Sequence, residues 1–256
     1  KGVPKVIDTS EKDGWKITPA DLKKSASRKS KILIFNNAGN PTGALYSKKE
    51  LKKILATAAR LNIFVIADEV YSGLVYDGKP FASAASFPKF RDNLAIVESS
   101  SKSFAMTGFR LGFVFANEEI IKTLSSLASQ STSGATTMCQ YAVLPVLKDA
   151  ARITRKINQE MKKRRDFFVR ELNRAFKIKF KAPVSGLYLF VPIRALGWPN
   201  DDSVDFCRQA IDRGSVAVVP GSAFYKEGYV RFSYGERPAI LGQGIRALSK
   251  FIKSKQ

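Results

Sequence analysis

The sequence predicts an α/β protein in which a mostly parallel sheet precedes a smaller α+β unit. Two short apolar runs, residues 31–36 and 64–67, are typical of buried strands. Between them, Ser47 and Glu50 form a capping-box pattern ahead of apolar residues at helical spacing. A strand, a helix and a second strand in this order predict a right-handed parallel crossover.

Further strands are expected at residues 94–98 and 111–116, on either side of a polar turn. In open α/β sheets, ligands bind outside the carboxyl ends of the strands. Polar side chains near these strand ends are therefore expected to gather at one edge of the sheet. They are Asn40, Asp68, Lys102 and Arg110.

The second part of the chain predicts a separate, smaller domain. Helical patterns at residues 118–128 and 140–147 lead to a long basic helix that begins near Asp149. We place the domain boundary there, which gives domains 1–148 and 149–256. Within the second domain, strands are expected at residues 187–191, 216–219 and 229–233, and a closing helix at 239–252.

Composition narrows the function classes. The net charge is +21, from 43 Lys and Arg against 22 Asp and Glu, which would suit a nucleic-acid partner. The basic residues are scattered, however, and those at 152–174 alternate with apolar residues at helical intervals, so we interpret them as a solvated helix face. The absence of histidine argues against histidine-ligated metal sites and Ser-His-Asp chemistry. No apolar run approaches the roughly 18 residues that cross a bilayer.

Lys102 lies in a setting suited to covalent amine chemistry. It follows the apolar run 94–97 and is flanked by serines and by Arg110. Desolvation and a nearby cation both lower the pKa of a lysine, and a neutral amine can form a Schiff base with an aldehyde cofactor. The guanidinium of Arg110 has the planar shape that suits a phosphate.

These segments resemble a known family. Residues 99–112, SSSKSFAMTGFRLG, resemble the cofactor-lysine motif of the pyridoxal-phosphate (PLP) aminotransferases of class I/II, the fold-type I aspartate aminotransferase family. In the family's order, the chain also carries GNPTG at 39–43, ADEVY at 67–71, VPGSAF at 219–224 and VRFSYG at 230–235. The resemblance implies a three-layer large domain with a mostly parallel sheet, here incomplete, followed by a small α+β C-terminal domain.

The resemblance also implies three catalytic residues. Lys102 would carry the cofactor as a Schiff base, Asp68 would hold the pyridine nitrogen protonated, and Tyr71 would contact the cofactor's 3-oxygen. Taken alone, Asp68 could instead cap the turn together with Glu69, and Tyr71 could be a packing tyrosine.

Four more residues complete the expected site. Ser99 and Arg110 would bind the cofactor's phosphate, and Asn40 would donate to the 3-oxygen and to a substrate carboxylate. Arg231 would bind the substrate's α-carboxylate, because a buried guanidinium needs an anion; the alternative is an edge-strand arginine that faces water. Tyr188 could pack in the core or contact the substrate.

The function implied is ping-pong transamination between an amino acid and a 2-oxo acid. In dicarboxylate-specific members of the family, an arginine of the neighbouring subunit can bind the second carboxylate of the substrate. Residues 123–140, the corresponding stretch, hold no Arg or Lys, which puts this way of recognising aspartate in doubt. Other PLP-dependent lyase or synthase reactions on the same fold remain open, as do a non-catalytic aminotransferase-like domain of a transcription regulator and an inactive fragment.

The chain does not begin with methionine, and we expect it to lack an N-terminal segment that its relatives carry. The resemblance implies a homodimer for the full-length protein, with a cytoplasmic location and neither a metal nor a membrane partner. Organelle targeting stays open as an alternative to the cytoplasmic location.

Overall fold

The computed structural model describes residues 2–254 and divides them into two compact units. The first holds the chain up to Gly39 together with Ala44–Asn158, and the second holds Asn40–Gly43 together with the chain from Gln159 onward. The elements of the first unit, in chain order, are α1 (Pro19–Ser25), β1 (Ile32–Asn36), α2 (Lys48–Arg60), β2 (Phe64–Asp68), β3 (Leu94–Ser99), α3 (Ser100–Ser103), β4 (Gly112–Phe115), α4 (Glu118–Ser131) and α5 (Thr137–Lys148).

The sheet of the first unit has four strands in the order β1-β2-β3-β4. Neighbouring strands from β1 to β3 are parallel, and β4 runs antiparallel to β3. The predicted mostly parallel sheet is therefore confirmed. In its register Asn36 lies opposite Asp68, Asp68 lies opposite Val97, and Ser99 lies opposite Gly112. The carboxyl ends of β1, β2 and β3 consequently lie side by side.

Helix α2 begins where the sequence predicts. The Ser47 Oγ accepts a hydrogen bond from the Glu50 amide at 3.3 Å, and the Glu50 carboxylate accepts one from the Ser47 amide at 2.7 Å. This capping box satisfies amides that the first helical turn leaves unpaired. Apolar residues at helical spacing on α2, including Leu51, Ile54 and Leu55, are buried in the core that also contains Val65 of β2.

The second unit contains a three-stranded antiparallel sheet of β5 (Tyr188–Pro192), β6 (Val219–Pro220) and β7 (Tyr229–Ser233), in the order β5-β7-β6. The long helix α6 (Ala150–Phe176) leads into it, and the division between the units lies within this helix. The remaining helices of this unit are α7 (Ser203–Asp212) and α8 (Pro238–Lys253).

The strand expected at residues 216–219 is shorter in the structure, where β6 covers only Val219–Pro220. The amide of Val216 donates to the carbonyl of Ala210 at 2.9 Å, which closes the end of α7. A residue whose amide closes a helix cannot use it in a sheet ladder. The β preference of the valines therefore yields here to the helix terminus.

Helix α6 is amphipathic, but its charged residues do not all face water. Phe168 and Leu172 are buried, as expected for its apolar face. Arg165 is buried as well, at 2% exposure, and its guanidinium donates to the carbonyl of Pro183 at 2.9 Å and pairs with Asp166. The interpretation of all these charges as a solvated face is wrong at Arg165. Its guanidinium is buried because the Pro183 carbonyl and the Asp166 carboxylate accept its hydrogen bonds.

Two further features concern the described residues 2–254. No helix among them combines the length and the hydropathy needed to cross a bilayer. Cys139 and Cys207 are both free thiols, and burial raises the pKa of Cys207 to about 12. A thiol with so high a pKa is a poor nucleophile at neutral pH.

The buried face of α2 predicts a specific stability difference. Leu51 is fully buried, whereas Leu61, at the end of the same helix, is 38% exposed. Replacing Leu51 with alanine should lower the free energy of unfolding by about 2–5 kcal/mol, because it removes buried methyl groups and leaves a cavity. Leu61→Ala, the matched control, should cost less than about 1 kcal/mol. Urea titrations of both variants measure the difference, and equal losses would contradict this core.

Candidate active site

The first group of candidate residues lies in the first unit, at the carboxyl ends of β2 and β3. Asp68 is the last residue of β2, and Ser99 is the last residue of β3, the neighbouring strand. Lys102 follows on α3, and Tyr71 follows Asp68 in the next loop. The parallel register thus places the ends that carry these residues side by side, as the sequence predicts.

Asp68 is a half-buried carboxylate without a cationic partner. Burial raises its pKa, and hydrogen bonds from the Val70 amide and the Asn36 side chain oppose that shift. The Val70 contact, at 3.3 Å, is the turn-capping contact that sequence reasoning offers as the alternative role. Within residues 2–254, no lysine or arginine forms a salt bridge with Asp68. The carboxylate therefore keeps an unmet demand for a positive partner.

Sequence reasoning missed Asn36. Its side-chain amide donates to the backbone carbonyl of Asp68 at 3.2 Å and contributes a hydrogen bond to the Asp68 carboxylate. The signal was available, because Asn36 ends β1 as Asp68 ends β2, and parallel strands bring such ends into register.

Lys102 lies in the single helical turn α3, and its side chain is half-buried. Hydroxyl groups connect this turn to the residue that precedes β4. The Ser99 Oγ donates to the Leu111 carbonyl at 3.2 Å, and the Ser100 Oγ donates to the same carbonyl at 2.9 Å. Of the carboxylates in residues 2–254, none forms a salt bridge with Lys102, so its amine is available for other chemistry.

Tyr71 is buried, with 4% of its surface exposed. Its carbonyl accepts from the Leu74 amide at 2.8 Å, which closes a turn directly after β2. The side-chain amide of Asn158 holds the next stretch of this loop, because it donates to the carbonyls of Gly73 at 3.0 Å and Val75 at 2.7 Å. The loop that carries Tyr71 is therefore fixed at both ends.

Arg110 differs from the expectation. Its apolar neighbours suggested a protected setting, but Arg110 is exposed and Phe109 is 42% exposed. The residue follows the short turn Thr107–Phe109 and adopts a left-handed conformation with φ 51°. Its guanidinium donates to the carbonyl of Thr107 at 2.9 Å, and no carboxylate of the described residues pairs with it. The backbone turn, not the hydrophobicity of its neighbours, decides where Arg110 lies.

Two carboxyl groups flank Asp68, the buried Glu69 and the half-buried Glu98. No sequence pattern indicates their effect. Glu69 is 2% exposed and accepts from the Ala84 amide at 2.7 Å. Glu98, on β3, hydrogen-bonds Ser72, but burial raises its pKa to about 7, and the charges of Glu69 and Asp68 contribute to the rise. A carboxyl group whose pKa lies near neutral pH is typical of functional sites.

The second group lies in the second unit and centres on Arg231 of β7. Its Nη1 donates to the side-chain oxygen of Asn40 at 3.0 Å. The Asn40 loop is held by the Ser185 hydroxyl, which donates to the Gly43 carbonyl at 2.8 Å. Gly43 has φ +71°, and a Cβ there would lie 2.7 Å from Pro183, so only glycine fits. Asn40 and Arg231, which are far apart in sequence, are thus in direct contact.

The guanidinium of Arg231 lies against aromatic rings instead of carboxylates. Its Cζ is 4.1 Å from the ring centroid of Tyr188 and 4.9 Å from that of Phe224. Its Nε is buried and has no hydrogen-bond partner. No acidic residue of the described chain forms a salt bridge with it. Arg231 therefore carries a partly desolvated charge, and its role in binding a carboxylate stays a prediction.

The motifs, the sheet and these two groups agree with a comparison to protein families. The family model of aminotransferase class I and II matches residues 1–248. The chain belongs to this family. The predicted family and the predicted fold class are both confirmed.

Curated relatives and solved structures give the same result. A probable aspartate/prephenate aminotransferase from Aquifex aeolicus is 34% identical over 98% of this chain and 65% of that protein. The crystal structure of an aromatic aminotransferase from Pyrococcus horikoshii is 34% identical, with a TM-score of 0.89 over 97% of this chain and 67% of that chain. An aspartate aminotransferase from Thermus thermophilus, solved with maleate, has a TM-score of 0.86 at 28% identity.

The chain spans slightly less than two thirds of the length of the curated relatives that it matches. The activity, substrates and partners of the whole protein are therefore proposals.

The family uses PLP, and the residues of the first unit fit that cofactor. PLP presents an aldehyde, a pyridine nitrogen and a phosphate. Among residues 2–254, Lys102 offers a primary amine with no carboxylate in a salt bridge to it, and Asp68 offers a partly desolvated carboxylate with no cation in a salt bridge to it. Ser99 and Arg110 offer a hydroxyl and a guanidinium. The donor set matches the cofactor group by group.

The raised pKa of Glu98 predicts a pH effect on stability. The folded state holds the Glu98 proton more tightly than the unfolded chain, whose glutamates titrate near 4.5. The stabilisation by this proton is fully present below about pH 4.5 and is lost as the pH rises through about 7. Wild-type stability should therefore fall relative to that of Glu98→Gln between pH 5 and pH 8.

Denaturant titrations at several pH values measure this difference. Glu119→Gln, an exposed site on α4, is the matched control and should follow the wild-type profile. Parallel pH profiles for Glu98→Gln and wild type would show that Glu98 is already ionised at pH 5.

Proposed function

We propose that the protein is a PLP-dependent aminotransferase, which moves an amino group between an amino acid and a 2-oxo acid. The observation that carries this proposal is the half-buried carboxylate of Asp68. It ends β2 beside the strand that leads to Lys102, and no cation of the described chain neutralises it. A protonated pyridine ring supplies the missing charge. Family membership and about 30% identity over nearly the whole chain support the same activity.

In the proposed mechanism, the residues of the first unit hold the cofactor. Asp68 accepts a hydrogen bond from the pyridinium nitrogen and keeps it protonated, and Asn36 orients the carboxylate for this contact. Tyr71 donates to the ring's 3-oxygen, while Ser99 and Arg110 bind the phosphate. When bound, PLP supplies an electron sink for the negative charge that develops at the substrate's Cα.

Lys102 has two tasks in this proposal. Its Nζ is the primary amine that would hold PLP covalently before a substrate binds. As a free amine once the substrate is bound, Nζ would act as the general base that accepts the proton of the substrate's Cα and later gives it up. A second oxo acid passes through the same steps in reverse, so one amine serves both halves of the reaction.

The residues of the second unit bind the substrate's α-carboxylate. The guanidinium of Arg231 offers paired donors to the two carboxylate oxygens, and Asn40 fixes one end of that guanidinium. Every α-amino acid and every 2-oxo acid has this carboxylate, so the contact serves both substrates. Other residues would have to recognise the side chain of the substrate.

We also propose a homodimer for the full-length protein and a cytoplasmic location. Helices α4 and α5 support the dimer, because they expose large apolar side chains such as Leu127 at 62%, Met138 at 78% and Tyr141 at 70%. Apolar patches of this kind mark interaction surfaces. The partner expected on this face is a second copy of the chain.

The proposal predicts a lysine-dependent spectrum. After addition of PLP and removal of the unbound cofactor, this chain should retain a visible absorption band that Lys102→Ala lacks, because the covalent bond to the Lys102 amine holds the cofactor. The band should shift when an amino acid is added. Lys122→Ala, an exposed lysine on α4, is the matched control and should behave as wild type.

The outcomes separate the parts of the proposal. A band that persists in Lys102→Ala would overturn the role of Lys102. A band that does not respond to any amino acid would leave cofactor binding intact and overturn transamination by this chain.

A further inference from the structure

The side chain of Arg231 lies between two aromatic rings. The Cζ atom is 4.1 Å from the ring centroid of Tyr188 and 4.9 Å from that of Phe224. Distances below about 6 Å allow the ring quadrupole to attract a cation, more strongly when the cation is desolvated. The two rings therefore stabilise the positive charge of Arg231, as a carboxylate does for most partly buried arginines. Unlike a carboxylate, they do not occupy its hydrogen-bond donors.

The hydrogen bonds of Arg231 leave donors free. Nη1 donates to Asn40, and Nε is buried without a partner. No carboxylate of residues 2–254 forms a salt bridge with the guanidinium. The rings pack against the guanidinium, and Asn40 occupies one of its donors. An incoming anion would therefore bind at the remaining edge of the guanidinium.

The sheet of the second unit fixes the Tyr188 ring. Tyr188 is the first residue of β5 and lies opposite Ser233 of β7. Arg231 is two residues before Ser233, so the two side chains share one face of the sheet. The neighbouring pair on this face, Phe190 and Arg231, is also in register. The position of the tyrosine ring over the guanidinium thus follows from strand register.

The turn Gly221–Phe224 fixes the second ring. A Cβ at Gly221 would lie 2.1 Å from the Lys226 carbonyl and 2.7 Å from the Tyr229 carbonyl, so only glycine allows this turn. Phe224 then packs edge-on against Phe190, with ring centroids 6.0 Å apart. The turn and this ring contact together position the Phe224 ring.

We propose that Tyr188 and Phe224 are positioning residues for carboxylate binding by Arg231. They hold the guanidinium in one plane and direct its free edge toward a single planar carboxylate. This inference rests on the proposed function, in which Arg231 binds the substrate's α-carboxylate. It adds that the affinity for that carboxylate depends on two aromatic rings that need not touch the substrate.

A packing role alone makes a different prediction. If the rings only filled space, their removal would lower stability and leave the affinity of the folded protein for a carboxylate unchanged. If they position Arg231, their removal weakens carboxylate binding in protein that is still folded. Both rings are only half-buried, which favours folded variants.

The test titrates the PLP-supplied chain with sodium propionate, a monocarboxylate that has no amino or oxo group to react. The readout is the NMR signal of the Arg231 Nε–H, assigned by its loss in Arg231→Lys. Propanamide, which has the same carbon skeleton but no charge, controls for non-ionic binding. Thermal denaturation of each variant fixes a temperature at which it is folded.

Tyr188→Leu and Phe224→Leu should each weaken propionate binding by about threefold to tenfold, in line with the usual strength of a partly desolvated cation–π contact. Tyr188→Phe keeps the ring and should stay within about twofold of wild type. The Arg231 signal should also move in the leucine variants before any ligand is added, because the ring above it is gone.

Each outcome is decisive. Wild-type affinity for propionate in both leucine variants would overturn this inference and leave the proposed function intact. Equal weakening in Tyr188→Phe and Tyr188→Leu would assign the effect to the hydroxyl and overturn the role of that ring. No propionate effect on Arg231 in the wild type would overturn the proposed carboxylate site and this inference with it. If one leucine variant fails to fold, the other decides.

Discussion

The central constraint on the first unit is the Asp68 carboxylate, which ends a strand where water is partly excluded and no cation of the described chain neutralises it. Such a group is costly to keep ionised. The residues around it therefore include hydrogen-bond donors to the carboxylate. Asn36 donates to it from the adjacent strand, and the Val70 amide caps it from the loop that carries Tyr71. Strands β1 and β3 thus lie on either side of a carboxylate that, in the proposed function, binds the cofactor.

The second unit contains the opposite arrangement, a guanidinium without its anion. Arg231 keeps its charge between the rings of Tyr188 and Phe224 and against the amide of Asn40. Each unit therefore holds one polar group whose complement is absent from the described chain, a carboxylate in the first and a guanidinium in the second. A molecule with a cationic ring nitrogen and a molecule with a carboxylate are the natural complements, and these are the cofactor and the substrate of the proposed reaction.

Much of the fold was predictable because local signals agreed with it. The capping box at Ser47 and the apolar spacing of α2 set the helix, and the apolar runs set β1 to β3. Predictions were wrong where one residue had two possible partners. Val216 has the β preference of a strand residue, yet its amide closes α7. Arg165 has the sequence environment of a surface charge, yet it finds the buried carbonyl of Pro183.

The sequence by itself determined the family, the mostly parallel sheet and the residue types that carry chemistry, because each is written in short segments such as residues 99–112. Tertiary structure alone decided the setting of each charge. The exposure of Arg110 depends on a left-handed turn, and the pKa of Glu98 depends on burial beside Glu69 and Asp68. The contact of Asn40 with Arg231 joins residues far apart along the chain. Desolvation and contacts at long sequence separation arise only when the chain is packed, so no local pattern can encode them.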